Sequence, residues 1–441
     1  MTLNRLLTVS LLAALALAPV QPKAAVIGRN QATQPLTPAR VLEMPAEQRP
    51  VWLHYLQRSA AQRSADQAVL AAERAGLVAQ GQEIPQAPPN GNAEKSMPLR
   101  EAKAWYRSAE ALRVADNIVS FQTPAGGWGK NQARDGEPRR PGQDFVPDNN
   151  SKRSLPGDFD RAEDPRWAYV GTIDNDATVT EIRFLAKVAA QLEGRPEQAK
   201  AYQQSALKGL LYLLQAQFPN GAWPQVWPLQ GGYHDAVTLN DNALVQVATL
   251  MGAAARGEQE FAFLPEALRA QALASEGRAI ECLLATQLRI QGRKTLWAQQ
   301  YDALSLQPTS ARNYEPAAIS SFESADVLVY LMSLSSPTPA VVDAVQQGVH
   351  ALQALAITGQ AWRNEDGVEG RSLVADPAAS PLWARFYSLD RMQPIFADRD
   401  KSIHDSVSTI SRERRNGYAW YGNGPLKALT SYRRWQARTV P

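Results

Sequence analysis

Two kinds of helical segment alternate along the chain. The first kind places apolar residues at helical spacing between polar ones, which predicts amphipathic helices with one solvent-facing side. We predict these outer helices over Ala109–Gln122, Ala199–Gln217, Glu276–Gln291 and Val341–Gln360. The second kind is apolar nearly all round, as in Ala243–Met251 and Val327–Leu334. In a water-soluble chain this second pattern predicts inner helices that are buried on every side.

Polar clusters precede the apolar segments. Thr172-Ile-Asp-Asn-Asp-Ala177 and Leu239-Asn-Asp-Asn-Ala243 run directly into apolar helical sequence, and Ser321-Phe-Glu-Ser-Ala325 begins a looser third copy. Side-chain oxygens at such positions can accept hydrogen bonds from the free N–H groups of a first helical turn. Each cluster therefore marks the start of a predicted inner helix.

A tryptophan loop stands between each outer helix and the next inner one. The loops contain Trp128, Trp223 and Trp297, and a fainter copy contains Trp362. The repeating unit is thus outer helix, loop and inner helix, present at least three times. We predict a mainly α-helical fold, an α/α toroid of about three inner/outer helix-hairpin repeats. The polar starts of the inner helices then gather at one end, which is the natural cleft.

The first 105 residues predict two regions outside the toroid. Residues 1–25 combine a basic start with an apolar run, which is typical of a signal peptide and too short for a mature membrane span. Residues 26–105 predict an N-terminal helical extension, and residues 106–441 the toroid domain. We expect a secreted or periplasmic protein with no membrane contact after signal removal. The single cysteine, Cys282, lies in apolar helical sequence, which predicts an unreactive core thiol.

The formal net charge is only +3, but arginine is concentrated near the end of the chain. From Arg363 to Arg438 there are eleven arginines and two lysines. Guanidinium groups bind carboxylate or phosphate through two parallel hydrogen bonds, so the preference indicates recognition of an acidic ligand. A general compositional bias toward arginine would give the same pattern.

Several motifs, in order along the chain, resemble the pectate lyases of polysaccharide lyase family 10. They extend from about residue 109 to residue 420. The motifs begin at Phe121, Thr172, Pro219, Tyr233, Leu239, Trp297, Ala311, Phe322, Trp383 and Glu413, and include Gly126-Gly-Trp-Gly-Lys-Asn131, Ala311-Arg-Asn-Tyr-Glu315 and Trp383-Ala-Arg-Phe-Tyr387. The resemblance implies cleavage of α-1,4-linked polygalacturonate by calcium-dependent β-elimination, which yields 4,5-unsaturated oligogalacturonides. The expected partner is this acidic polysaccharide, with no nucleic acid, and the expected state is a monomer.

The resemblance also assigns roles to residues. It implies that Arg312 is catalytic and abstracts the C5 proton of the uronate. An arginine is ordinarily protonated, so the alternative is that Arg312 only binds a carboxylate while another base takes the proton. The remaining substrate-binding residues expected from these motifs are Lys130, Arg385, Arg399 and Arg415 for carboxylates, and Trp128 and Tyr314 for sugar faces. For Trp128, a purely structural role in its glycine-rich loop is the alternative.

Calcium prefers hard oxygen ligands, and two neighbouring inner-helix starts offer them in Asp174, Asn175 and Asp241. A positive helix N-terminus repels a cation, so substrate carboxylates should complete the site. Asp176 is a ligand, an arginine partner or a helix cap. The only histidine near this cluster is His234, which we interpret chiefly as a residue that fixes its loop.

Two other function classes use the same residues. An inverting glycoside hydrolase would use Asp174 or Asp176 with Asp241 as its two carboxylates, about 6.5–9.5 Å apart, and no calcium. A non-catalytic uronate-binding protein would keep the arginines and tryptophans without turnover. The arginine excess and the Arg312 motif favour the lyase over the hydrolase.

Overall fold

The computed structural model describes residues 25–89, 97–134, 136–147, 156–160, 167–192, 194–364 and 370–439. The predicted signal peptide, apart from its last residue, lies outside the described residues. The helices are α1 Pro38–Leu42, α2 Arg49–Ala79, α3 Ala109–Ser120, α4 Val179–Ala189, α5 Pro196–Ala216, α6 Ala243–Arg256, α7 Glu266–Thr286, α8 Ser321–Ser333, α9 Pro339–Ala354, α10 Arg412–Gly417 and α11 Leu426–Thr439.

The strands are short and form small separate sheets. They are β1 Val26–Arg29, β2 Gly171–Thr172, β3 Val226–Trp227, β4 Val237–Thr238, β5 Arg289–Ile290, β6 Arg293–Lys294, β7 Gln300–Tyr301, β8 Ile319–Ser320, β9 Gln360–Asn364, β10 Arg371–Ala375, β11 Trp383–Ala384, β12 Phe386–Tyr387, β13 Phe396–Ala397, β14 Ser402–His404 and β15 Tyr421–Gly422. The pairs β2/β3, β4/β7 and β12/β8 are antiparallel and each joins one repeat to the next.

The helices form two concentric layers, which confirms the prediction of a mainly α-helical toroid. Helices α4, α6 and α8 lie inside, and each packs against the outer helix that follows it, α5, α7 and α9 respectively. Neighbouring inner helices contact one another, as do neighbouring outer helices, and α11 packs on α8. The inner helices are buried along most of their length, as their all-round apolar pattern predicts.

Two outer-helix predictions had wrong boundaries. Helix α7 begins at Glu266, ten residues before the predicted start, and ends at Thr286. Gln291, its predicted end, lies in the tight turn between β5 and β6 with a φ of 49°. Helix α9 ends at Ala354, and Gln360 belongs to β9. The apolar pattern continues into the following loop in both cases, because those loop residues also pack inward.

Each loop tryptophan closes the end of the preceding outer helix. The last four carbonyl groups of an α-helix have no partner within the helix. The indole N–H groups donate to carbonyls in these last turns, at 2.7–2.8 Å, in four pairs: Trp128 to Ile118, Trp223 to Leu213, Trp297 to Leu283 and Trp383 to Leu352. The fourth repeat therefore uses Trp383. The prediction of Trp362 for this place was wrong, because Trp362 lies in the β9/β10 hairpin and packs on Tyr421.

A glutamine after each of the first three outer helices links that helix to the next repeat. The amide of Gln122 donates to the carbonyl of Gly126 in its own loop and to that of Ser205 in α5. Gln217 and Gln287 repeat this pattern, with second acceptors at Ser275 in α7 and Ala344 in α9. The spacing between outer helices is thus set by hydrogen bonds as well as by packing.

The N-terminal segment packs on the toroid. The Tyr55 hydroxyl of α2 donates to the carbonyl of Ala216 at the end of α5, and the rings of Trp52 and Tyr55 contact Phe218. Strand β1 pairs with β14, near the other end of the chain. The segment predicted as a helical extension therefore also contributes a strand, and the boundary at residue 105 stays a prediction. In the described part of the chain, no helix is both long and apolar enough to cross a bilayer.

Replacing Trp223 with phenylalanine should destabilise the protein. The change keeps most of the buried aromatic surface but removes the indole donor from the carbonyl of Leu213, which keeps only the backbone N–H of Gln217 at 3.2 Å. We expect the free energy of unfolding to fall by about 0.5–1.5 kcal/mol. Chemical denaturation measures this, with Trp362→Phe as the control, since the Trp362 indole nitrogen has no hydrogen-bond partner among the described residues. Equal effects of the two changes would contradict the capping role.

Candidate active site

Two unusual turns begin the cleft. Before α4, Asn175 and Asp176 have φ values of 52° and 62°; before α6, Asp241 and Asn242 have values of 49° and 62°. Left-handed backbone is costly for most residues, but asparagine and aspartate adopt it more readily. The asparagine and aspartate residues of these clusters are therefore needed first for the left-handed backbone conformation. They form matching turns that direct carboxylate and amide groups into one space.

The carboxylates of Asp174 and Asp241 lie close enough for each to shift the pKa of the other. Lys130 Nζ lies 2.5 Å from Asp174 Oδ2. Burial raises the pKa of Asp174, but the Lys130 charge outweighs it and the net pKa is lowered. Loss of solvent around its carboxylate and the negative charge of Asp174 raise the pKa of Asp241 to about 7. Although Asp241 is an exposed residue, these surroundings disfavour its charged form unless a cation is near.

These residues fit a divalent cation only in part. Asp174 Oδ1 is buried and has no hydrogen-bond partner among the described residues, so an oxygen is available to ligate. Asn175 follows on the same turn and Asp241 faces Asp174. Within the described residues, no group of three or more histidine, cysteine, aspartate or glutamate side chains is arranged to hold a metal. The protein thus offers two facing carboxylates and leaves most of a calcium coordination shell to other oxygens.

The second residue after each loop tryptophan points to the inner-helix starts. After Trp128 it is Lys130, which pairs with Asp174. After Trp297 it is Gln299, whose amide donates to Asn240 Oδ1. After Trp383 it is Arg385, which donates to Asn240 Oδ1 at 3.3 Å and to Glu323 Oε1 at 2.6 Å.

The corresponding residue after Trp223 is Gln225, and it acts through its backbone. Its carbonyl accepts from Thr172 Oγ1 and Ile173 N, directly before Asp174. The loops therefore both support the turns and supply side chains to the cleft.

Arg312 is held by one carboxylate. Its Nε and a terminal nitrogen donate to the two oxygens of Glu315 at 2.8 and 2.5 Å. Glu315 is 2% exposed and also accepts from the Tyr418 hydroxyl at 2.8 Å. Burial alone would lower the pKa of Arg312, but the charge of Glu315 raises it by more. The net pKa of Arg312 therefore lies well above the usual value. Arg312 is near enough to Asp174 to lower the pKa of that carboxyl.

Two buried asparagines fix the Arg312 loop. The amide of Asn30, next to β1, donates to the carbonyls of Arg312 and Asn313 at 3.2 and 3.0 Å. The amide of Asn313 donates to Asp158 Oδ1 and to the carbonyl of Arg399, both at 2.8 Å, while its oxygen accepts from Phe159 N. The N-terminal strand thus takes part in positioning the site, a role that the sequence pattern did not indicate.

Tyr314 organises cations instead of offering its face to a sugar. The guanidinium carbons of Arg414, Arg312 and Arg399 lie 4.4, 5.0 and 5.4 Å from its ring centre. The residue is only 5% exposed. The predicted stacking of Tyr314 on a sugar is corrected accordingly, since the arginines surround the ring.

Trp128 also lies away from the cleft surface. It is 1% exposed and is fixed by the indole bond to Ile118. Its predicted stacking role is not compatible with that burial, so its role is the structural one. Neither the hydrogen bond nor the burial is visible in a Gly-Trp-Gly sequence.

The structure brings Arg414, not Arg415, to the cleft cluster. Arg399 and Arg414 both pair with Glu413, and Arg414 covers Tyr314. The guanidinium of Arg415 lies beside Gly370, away from Tyr314. Consecutive residues on a helix point in directions about 100° apart, so only one of the two arginines can face the cleft. The sequence offered no means of choosing between them.

His234 is enclosed by aromatic rings. Its imidazole stacks on Tyr233 with centres 3.9 Å apart and meets the edge of Trp167 at 4.5 Å. Burial and the nearby Lys130 charge lower the pKa of His234 to about 3. The ring is therefore neutral at ordinary pH, which agrees with a role in fixing the loop before Asp241.

Comparisons with known proteins agree with this geometry. A family model described as pectic acid lyase matches residues 122–429. The solved structure of a family 10 polysaccharide lyase from Cellvibrio cellulosa is 28% identical, covering 80% of this chain and 99% of that one, with a TM-score of 0.63. A mutant of the Cellvibrio cellulosa enzyme in complex with trigalacturonic acid is also 28% identical, covering 76% and 97%, with a TM-score of 0.63. No curated protein sequence matches the chain.

Glu315 should make the stability of the protein depend on acidity. Burial raises its pKa, but Arg312 lowers it more, to about 2 from the usual value near 4.5. The stabilisation is therefore complete above pH 4.5 and is lost as the pH falls toward 2, on the order of 3 kcal/mol in all. The difference in unfolding free energy between wild type and Glu315→Gln should shrink over that range. The exposed Glu43→Gln should show no such trend, and a constant difference for Glu315→Gln would contradict the pairing.

Proposed function

The chain belongs to the pectic acid lyase family, and on that premise we propose that it cleaves α-1,4-linked polygalacturonate by calcium-dependent β-elimination to 4,5-unsaturated oligogalacturonides. The family resemblance read from the motifs is confirmed, and the chain is a polysaccharide lyase. The observation that carries the proposal is one cleft in which Arg312 stands near the facing carboxylates of Asp174 and Asp241. Elimination needs both a group at the C5 proton and a way to stabilise the charge left on the uronate.

The cleft suits an acidic polysaccharide. Its cations come from separate loops and include Lys130, Arg312, Arg385, Arg399 and Arg414. Guanidinium groups bind carboxylates through paired hydrogen bonds, and a galacturonan carries one carboxylate on each sugar. The related enzyme of Cellvibrio cellulosa was solved with trigalacturonic acid, which supports the same substrate class here.

Calcium would be held by Asp174 and Asp241, with Asn175 on the same turn. When bound to the uronate carboxylate, the ion would withdraw charge and make the neighbouring C5–H more acidic. Lys130 places a second positive charge against Asp174, and Arg385 a third near Asp241. The substrate carboxylates are expected to supply the oxygens that the protein lacks, so that calcium and substrate bind together.

Arg312 is the residue that we place at C5. In the free protein it is a cation held by Glu315, so it accepts the substrate proton only after losing one of its own. Alkaline pH and the neighbouring positive charges both favour that loss. If Arg312 were only a carboxylate clamp, hydroxide would take the proton and the charge on Glu315 would not affect the pH at which the rate rises.

The hydrolase alternative has less support. An inverting glycoside hydrolase keeps its two carboxylates about 6.5–9.5 Å apart to admit a water molecule. Asp174 and Asp241 lie close enough to shift the pKa of each other, and the arginines of the same cleft favour a site for uronate carboxylates. The alternative of a non-catalytic uronate-binding protein is tested by the activity assay described below. We further propose that the protein acts as a monomer. We also propose that it is secreted or periplasmic, and the apolar run in residues 6–20 supports this location.

Incubating the protein with polygalacturonate and calcium at alkaline pH should raise ultraviolet absorbance, because elimination creates a conjugated double bond. Excess chelator should abolish the signal, and Arg312→Ala and Asp241→Asn should each lower the rate at least about 100-fold, the scale of losing a catalytic acid–base or charge-stabilising group. The exposed Asp390→Asn is the matched control for Asp241. New reducing ends without absorbance would establish hydrolysis, and binding without either signal would leave a uronate-binding protein.

Replacing Glu315 with glutamine should shift the pH–rate profile. The Glu315 charge raises the pKa of Arg312, so its removal makes the guanidinium easier to deprotonate. If Arg312 is the base, the alkaline rise in kcat begins at lower pH in Glu315→Gln than in wild type. Measuring kcat at saturating substrate from neutral to alkaline pH tests this. A lower rate with an unshifted profile would assign Arg312 to carboxylate binding alone.

A further inference from the structure

A second pocket, with polar and apolar lining, lies on the other side of α10 from the Tyr314 arginines. Its volume is about 540 Å³. It is bounded by β10, α10, the turn Ser406–Ser408 and the segment before β13. Arg414 and Arg415 are neighbours on α10, and they point to the cleft cluster and to this pocket respectively.

The arginines of this pocket differ from those of the cleft in lacking acidic partners. Arg312, Arg385, Arg399 and Arg414 each contact a glutamate. Among the described residues, no carboxylate or hydrogen-bond acceptor contacts the guanidinium of Arg415 or of Arg371, although both line the pocket. Arg415 Nε is buried and has no hydrogen-bond partner in the described chain.

A buried guanidinium N–H without an acceptor is costly, so Arg415 Nε indicates an anion that arrives from outside, and the exposed Arg371 lies in the same pocket wall. Among the described residues of the wall, Asp405 is the one acidic residue. Two cations against one carboxylate make this described lining positive. The two nearby guanidinium groups match a planar carboxylate in charge and in donor geometry.

The rest of the lining indicates a sugar instead of a bare anion. Ser372 Oγ is buried without a hydrogen-bond partner among the described residues, and Ser406, Ser408 and Gln393 add polar groups. The aromatic residues Tyr421 and Phe396, with the apolar Leu373, Pro394 and Val407, complete the described wall. A binding site with several hydroxyl and amide groups beside aromatic residues is suited to a polyhydroxylated ligand.

We propose that this pocket is a second, non-catalytic subsite that binds a galacturonate residue of the polymer outside the cleft. The proposal rests on the proposed function for its substrate class. Arg415 and Arg371 bind the carboxylate, and Ser372 hydrogen-bonds a sugar hydroxyl. The subsite lies across α10 from the cleft and adds a second point of attachment, so it raises affinity for long chains and leaves the rate on short ones unchanged.

The test compares Arg371→Met/Arg415→Met with Arg391→Met, which removes a 74% exposed arginine whose side chain pairs with Asp390 at 3.8 Å. On trigalacturonate, both variants should show wild-type kcat and KM. On polygalacturonate, the double variant should raise KM roughly tenfold with unchanged kcat, the effect of losing about one charge-assisted contact. Ser372→Ala should raise the polymer KM by a smaller factor, and it serves as a second test in case the double variant misfolds. A polymer KM unchanged in both the double variant and Ser372→Ala would overturn the proposal.

A binding measurement without turnover separates this proposal from the proposed function. Electrophoresis through gels containing polygalacturonate and chelator should retard the wild type and the Arg391→Met control more than the double variant. Added monomeric galacturonate should release the protein, whereas neutral galactose should not. Release by inorganic phosphate at the same concentration would show a general anion site and overturn the uronate assignment. If the wild type shows no elimination but is retarded more than the double variant, the lyase proposal is wrong and the subsite proposal stands.

Discussion

The hydrogen bond from a loop indole to the last turn of an outer helix sets the path of every loop that builds the cleft. Four tryptophans make it, in four repeats of different loop length. Because the indole is fixed inside the core, the residue two positions later emerges at the start of an inner helix. Lysine, glutamine and arginine occupy that place in different repeats, so the same loop conformation places different side chains in the cleft. The tryptophan hydrogen bond is constant, whereas the side chain two residues later varies.

Charge in the cleft is arranged before any substrate binds. Each cleft arginine is held by a glutamate, and Lys130 by Asp174. Such pairs cost free energy to bury but fix the direction of the guanidinium groups, which lowers the ordering cost of binding. The same pairing sets the central difficulty of the chemistry, since Glu315 opposes the loss of a proton from Arg312. The protein holds Arg312 in position at the expense of its basicity.

Periodicity predicted the helical layers because burial imposes it directly. Side-chain direction was harder. Trp362 and Trp383 both follow α9, and the pattern predicted Trp362 as the loop tryptophan. The β9/β10 hairpin inserted between them makes Trp383 the one that reaches Leu352. Arg414 and Arg415 differ only by one step around a short helix. The position of Asn30 depends on a strand pairing across most of the chain, to which no local pattern refers.

The repeats share backbone but not chemistry, and this asymmetry is what makes a site. Asn175 and Asp241 occupy equivalent left-handed positions in the two turns, with φ values of 52° and 49°. Asp174 is therefore matched by Asn240, and the acidic residue has moved by one position between copies. A symmetric arrangement would place two carboxylates at matching points of separate repeats. The shift instead brings Asp174 and Asp241 close together, where their mutual repulsion favours a shared cation.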